Sequence, residues 1–286
     1  MHKIILLLSI VLYGCGKPST EQSKSDLSNS SGGNNSRQEL HVAELAQKLS
    51  DKDPRVRYRA AEALSMLGEK CAPALPQLMD HIDDEEWARF DNEGGAVRLM
   101  VDRALFQIKD GVEPLLISSL ESPNPVRRRN AASLLALRKD PSAIKSLIKL
   151  LKDPDRLVRA NAAEGLGYFH LPETALPIAG LLKDEDWFVR MKAASALALA
   201  KSSIVVPQLM EALKDQEENV RCAAAESLGF IGDVRPIEVL SMLAETDKSK
   251  DVRNAAADAL KRIKDSQENL NKINLEGVKA RHKNQG

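Results

Sequence analysis

The sequence predicts an all-α fold, an α-solenoid of about seven stacked helix pairs. Three observations carry this prediction. A Val-Arg pair opens an apolar helical pattern at Val56, Val97, Val126, Val158, Val189, Val220 and Val252, with spacings of 41, 29, 32, 31, 31 and 32 residues. A nearly fixed period of this length marks stacked supersecondary units. Leu stands eight residues after each Val, at Leu64, Leu105, Leu134, Leu166, Leu197, Leu228 and Leu260, and Ala-Ala stands four and five after it in five of the seven repeats. Positions 0, 4, 5 and 8 share one helix face. The chain is also 43% hydrophobic but only 3% aromatic, a composition that suits close-packed helices better than a sandwich or barrel.

The amino terminus reads as an address. Lys3 precedes an apolar run from Ile4 to Leu12, too short to span a bilayer but suited to a signal segment over residues 1–14. Leu12-Tyr13-Gly14-Cys15 resembles the lipobox of bacterial lipoproteins, with Tyr13 bulkier than the usual occupant. The resemblance implies cleavage before Cys15, thioether lipidation of Cys15 and acylation of the new terminus. It places the protein in the bacterial cell envelope, and Gly16 after the Cys implies outer-membrane sorting where two membranes exist. Residues 15–38 are Ser-, Asn- and Gly-rich and read as a disordered tether of roughly 25 Å root-mean-square span.

Residues 39–265 carry the repeats. Asp-Pro before the Val, as in Asp53-Pro54, is a helix-start signal, and Gly68, Gly167 and Gly229 suit helix ends. An acid stands five residues before the Val at Asp51, Glu121, Asp153, Asp184, Asp215 and Asp247. Between these helices lie shorter apolar stretches such as "AIKSLIKLLKD" and "VVPQLMEALKD". Each unit is therefore a short helix A, a turn and a helix B. The segment "DPDRLVRANAAEGLG" at 153–167 resembles the motif of HEAT-like repeats of the phycobilin-lyase type. That resemblance implies B helices on the concave face and a ladder pairing the acid before helix B with the Arg after the Val of a neighbouring repeat. Seven repeats at ordinary helix spacing make a rod of roughly 60–70 Å. Residues 266–286 read as a polar tail, with room for a short capping helix.

Candidate sites lie where the repeat stops copying itself. Repeat 2 is about ten residues longer, through the insertion "DDEEWARFDNEGG" at 83–95. Its exposed aromatics, Trp87 and Phe90, suit a protein-binding loop, and packing against the scaffold is the plainer alternative. Its carboxylates, among them Asp83, Asp84, Asp91 and Glu93, are the ligand type calcium takes, although the alternating calcium-loop spacing is absent. The Ala column fails at Asp102, which Arg98 can reach four residues away, and at Asn130, placed to reach Asp102 from the next repeat. A satisfied polar plug and a polar pocket are both open readings there. Aromatics cluster at Tyr168-Phe169 and at Trp187, in turns at opposite helix ends; inward packing and a partner patch are both open.

Chemistry has little foothold. The five His residues are nowhere followed by Glu, and CxxC, HExxH, GxSxG and P-loop motifs are missing, so no catalytic residue and no cofactor are expected. With 41 basic and 41 acidic residues, no grip on nucleic acid is expected. The expectation is a membrane-anchored, non-catalytic scaffold for a protein or peptide partner. A calcium-dependent binder or enzyme at the acidic insertion, and a structural spacer, are the alternatives.

Overall fold

The computed structural model describes residues 31–89 and 94–283, with side chains described over 37–89 and 95–269. Helix pairs follow one another along the chain: α1 (Ser31–Lys48) with α2 (Pro54–Met66), α3 (Leu75–Asp80) with α4 (Val97–Gln107), and α5 (Val112–Ser119) with α6 (Pro125–Arg138). Then come α7 (Ile144–Leu150) with α8 (Arg156–Gly167), α9 (Pro172–Gly180) with α10 (Trp187–Ala200), α11 (Val206–Ala212) with α12 (Glu218–Ile231), and α13 (Ile237–Thr246) with α14 (Lys250–Lys283). This is the expected helical solenoid of seven pairs. It divides into two units, residues 1–112 and 113–286. The first holds the α1/α2 and α3/α4 pairs, in which α2 packs on α4; in the second, α6, α8, α10, α12 and α14 pack successively.

Several of the B helices begin where short polar side chains cap them. The carboxylate of Asp53 accepts from the Arg55 amide, Asp155 from Leu157 and Val158, and Asp186 from Phe188. Each satisfies amides that the first helical turn leaves without a partner. Pro54 and Pro125 sit in the first turn, where a missing N–H loses nothing. Inside, the small-residue column does the packing. Ala162, Ala163, Ala193, Ala194, Ala224 and Ala225 are all fully enclosed, with the Leu column at Leu166, Leu197 and Leu228.

Gly167 ends α8 and Gly229 lies in the last turn of α12, as expected, and both also have a packing duty. A Cβ on Gly167 would lie 2.8 Å from the Ala196 carbonyl oxygen, and one on Gly229 would lie 2.7 Å from Ala259 Cα. They let successive B helices touch backbone to backbone. The left-handed cap of α12 is Gly232, at φ 77°.

Both ends of the repeat region are more helical than expected. Helix α1 starts at Ser31, so residues 31–38 of the expected tether are helical. Once Val42, Leu45 and Leu49 are buried, each preceding turn adds onto an existing nucleus at little cost. Likewise α14 runs unbroken through Lys283, so the expected polar tail, read with room for a short capping helix, continues the last B helix over residues 266–283. Its segment 261–276 contains neither Gly nor Pro, so nothing local stops propagation beyond Ile263, the last buried side chain among the described residues.

Candidate functional site

The ladder that the resemblance implies is present, and its geometry is uniform in repeats 4 to 6. In α8, Arg159 donates from Nη1 to the Asp153 and Pro154 carbonyls at 2.9 and 3.2 Å, and from Nε and Nη2 to both Asp184 carboxylate oxygens at 2.8 Å. Arg190 repeats this with Asp215 at 2.7 and 3.0 Å, and Arg221 with Asp247 at 2.8 and 2.9 Å. The guanidinium thus clamps its own turn with one nitrogen and the following repeat with a bidentate fork. The Arg221 side chain holds the Asp247 carboxyl below its ordinary range, against the opposing effect of burial.

The rung out of repeat 3 starts at Arg128, not at Arg127. Arg128 clamps the Ser122 and Pro123 carbonyls and forks onto Asp153 at 2.7 and 2.8 Å. Repeat 3 is therefore in register one residue later than the Val-Arg pair suggested. The ladder position before its B helix is Ser122, whose hydroxyl accepts from the Asn124 amide, and not Glu121. The buried Ala pair is Ala131-Ala132. In this register Asn130 is equivalent to Asn161 and lies outside the Ala column, which corrects its reading as a broken position. It is 2% exposed, and its Oδ1 accepts from Arg129 Nε at 3.4 Å.

The insertion in repeat 2 is ordered by the same device. Arg57 of α2 forks onto Asp84 at 2.6 and 3.2 Å, clamps the Asp51 and Lys52 carbonyls, and reaches Glu86 at 2.7 Å. Asp84 is the ladder acid of repeat 2, which removes it from the set of calcium candidates. Its carbonyl accepts from the Arg98 amide and that of Glu86 from the Val97 amide, so the two edges of the insertion are closed. Between them a short antiparallel hairpin forms, β1 (Trp87–Arg89) with β2 (Gly94–Ala96), pairing Trp87 with Ala96 and Ala88 with Gly95. Ala88 is fully buried, and a Cβ on Gly95 would lie 2.9 Å from the Tyr58 ring. The hairpin is thus seated against α2 through its smallest residues, while Trp87 remains 58% exposed.

Beside it, Asp51, Arg57, His81, Asp83, Glu85 and Glu86 are among the residues lining an open depression of about 450 Å³. Among the described residues no group of three metal-ligating side chains comes together. Phe90, Asp91 and Glu93 lie outside the described residues.

Arg98 opens α4 at the position the ladder arginines hold elsewhere, yet it donates to Asp102 of its own helix at 2.5 Å. Asp102 occupies the Ala column with its side chain 15% exposed, and its Oδ1 is buried without a hydrogen-bond partner. Burial pushes its pKa up to about 6, against the lowering effect of Arg98. The group is a half-satisfied plug, and a carboxylate in such a place is held at a cost.

The aromatic groups of repeats 4 and 5 lie at opposite helix ends, as their turns dictate, and a side-chain line joins them. Tyr168 Oη donates to Glu164 at 3.5 Å, and Lys192 pairs with Glu164 at 2.8 Å. The Lys192 ammonium also sits 5.8 Å from the centre of the Phe188 ring, which meets Trp187 edge to face at 6.0 Å. Burial, with Glu164 beside it, pushes the Tyr168 phenol up to about 12. Phe169 is half-buried and Trp187 is 39% exposed. Sequence spacing could place each turn, but Glu164 and Lys192 carried no signal of their own.

The family model described as HEAT repeats matches residues 33–93, 112–198 and 175–261. No curated protein matches this sequence. Among solved structures, Kap121p bound to Ste12p is similar with TM-score 0.62 at 16% identity, 80% of this chain aligning with 30% of that one. Kap95p, in a structure describing its binding to RanGDP, is similar with TM-score 0.57 at 12% identity, over 77% of this chain and 36% of that one. The complex of CpcE and CpcF of phycocyanin lyase from Nostoc sp. PCC7120 aligns over 86% of this chain and 100% of that one, at 24% identity and TM-score 0.43. These identities speak to the fold alone.

Proposed function

This chain belongs to the HEAT-repeat family, and from that premise we propose that it is a non-catalytic scaffold for a protein or peptide partner, held in the bacterial cell envelope by a lipid on Cys15. The observation that carries the binding half of this reading is the repeat-2 hairpin. In repeats 4 to 6 the turn before each B helix is short and carries the ladder acid. This one is lengthened, locked at both edges, and displays Trp87 on a rigid seat. An amphipathic aromatic that loses little entropy on contact is a good anchor for a partner. The anchoring half rests on Leu12-Tyr13-Gly14-Cys15 and the apolar run before it; residues 1–30 lie outside the described residues. The helix-pair stack supplies what a scaffold needs, a set of mutually bracing repeats.

The test is capture from detergent-extracted envelope with the wild-type protein, with Trp87→Ser, and with Leu176→Ser, which alters an exposed apolar side chain on α9. The reading expects a specific partner retained by the wild type and by Leu176→Ser but lost with Trp87→Ser. Equal retention by all three variants would move the binding site off the hairpin. No specific partner under any condition would count against the scaffold itself.

A further inference from the structure

Among the described residues the first and last repeats each carry a half-rung of the ladder, and the two halves are complementary. Internal rungs share one construction. An Arg near the start of a B helix clamps two carbonyls of its own turn and forks onto the Asp of the following repeat, as in the Arg159–Asp184, Arg190–Asp215 and Arg221–Asp247 rungs. That Asp in turn accepts the amide two residues on: Asp155 to Asp153, Asp186 to Asp184, Ser249 to Asp247.

Arg253, in the last repeat, makes the clamp in full, to the Asp247 carbonyl at 2.6 Å and the Lys248 carbonyl at 3.3 Å. Among the described residues no carboxylate meets its fork. Asp51, in the first repeat, holds the same turn by accepting the Asp53 amide at 2.8 Å. Among the described residues no guanidinium meets its carboxylate, and the residue is exposed. Each half-rung is preorganised by the bonds that shape it elsewhere, so closing it needs only the missing partner. The outermost A helices also each leave a large apolar side chain in solvent, Leu40 of α1 at 63% and Met242 of α13 at 58%.

We propose that a second copy of this chain docks head to tail, the Arg253 fork of one protomer closing on Asp51 of the next as an intermolecular rung of the same ladder. The contact is heterologous, joining two different surfaces. Its occupant follows from charge and shape together, because Asp51 offers the acid, turn and amide bond that the fork of every internal rung receives. The contact is also weaker than an internal one. Lys261 stands where Gly167 and Gly229 let the next helix approach in repeats 4 and 6, so backbone-to-backbone packing is denied at this junction. The proposal needs neither the hairpin nor a foreign partner.

The experiment uses the full chain in detergent, in two differently tagged forms, with self-association followed by sedimentation velocity across a concentration series and by co-purification. The wild type should associate in a concentration-dependent way. Arg253→Asp and Asp51→Arg should each weaken association by about tenfold or more, because each sets like charges against one another. Carrying both changes in one chain exchanges the two ends and should recover association to within about threefold of wild type. A urea midpoint for every variant checks folding, and recovery in the double variant separates a lost contact from a damaged fold. A wild type that stays monomeric throughout overturns the proposal. So does association indifferent to either reversal, or a double variant that is folded and does not recover.

Discussion

Arg128, and not the Arg127 that follows Val126, forks onto Asp153 at 2.7 and 2.8 Å. One hydrogen-bonding side chain thereby sets the register of repeat 3. It restores Ala131-Ala132 to the packed column and leaves Asp102 as that column's charged interruption.

The rungs are mostly buried, with Arg159 and Asp184 side chains 10% and 8% exposed. Removing one partner strands the other's charge. Arg159→Ala should lower stability by about 3–5 kcal/mol in urea unfolding, and the paired change Arg159→Met with Asp184→Leu should lower it far less. An equal loss from both would mean that the clamp on the Asp153 and Pro154 carbonyls, not the fork, carries the rung.

Glycine position separates packing from capping. Gly229→Ala places a Cβ 2.7 Å from Ala259 Cα and forces α12 and α14 apart. A loss of about 1–3 kcal/mol is expected. At Gly180, near the end of α9, an added Cβ meets nothing within 4 Å, and Gly180→Ala should be neutral or stabilising by up to about 1 kcal/mol. Thermal unfolding of the two variants side by side checks both signs.

Two carboxylates give opposite pH slopes. Burial raises Asp102 to about 6 in the folded state, so between pH 4 and 6 the native state binds the extra proton. Its contribution is fully present below the unfolded value and is lost as pH rises through 6. Asp102→Asn keeps the shape without the charge. It should remove that slope and raise stability at pH 7–8 by about 1–3 kcal/mol. Asp247 behaves in the opposite sense. Arg221 lowers its carboxyl from 3.8, so its contribution is present above the unfolded value and is lost as pH falls below about 4. Urea midpoints from pH 3 to 8 for wild type, Asp102→Asn and Asp247→Asn resolve the two slopes.

Anchoring is tested at one atom. Cys15→Ser should abolish the lipid mass increment and release the protein from the membrane fraction, since one thiol carries the proposed thioether. Stable attachment needs at least two acyl chains. An intact wild-type protein whose mass includes no lipid would end the anchor reading.

Much of this molecule was legible as a string. The period near 31, the Ala and Leu columns, and Asp-Pro at helix starts are local and recurrent, so they report fold class, helix pairing and the lengthened repeat without knowledge of neighbours. Arg98 and Asp102 were legible as a pair because four residues is one helical turn. Other features were decided only by residues distant in sequence. Whether Arg127 or Arg128 makes the rung depends on where Asp153 stands, 25 residues on. Asp84 could pass for a calcium ligand until Arg57, 27 residues earlier, claimed it. Gly167 and Gly229 were legible as residues near helix ends, but their packing duty was not, because a glycine's use in close approach appears only when the adjacent helix is in place. The sequence alone determined the repeating unit, since periodic burial and capping are properties of one helix at a time. Tertiary structure decided the register, the seat of the hairpin and the half-rungs of the ladder, since a guanidinium fork and a missing Cβ have meaning only against the surface they meet.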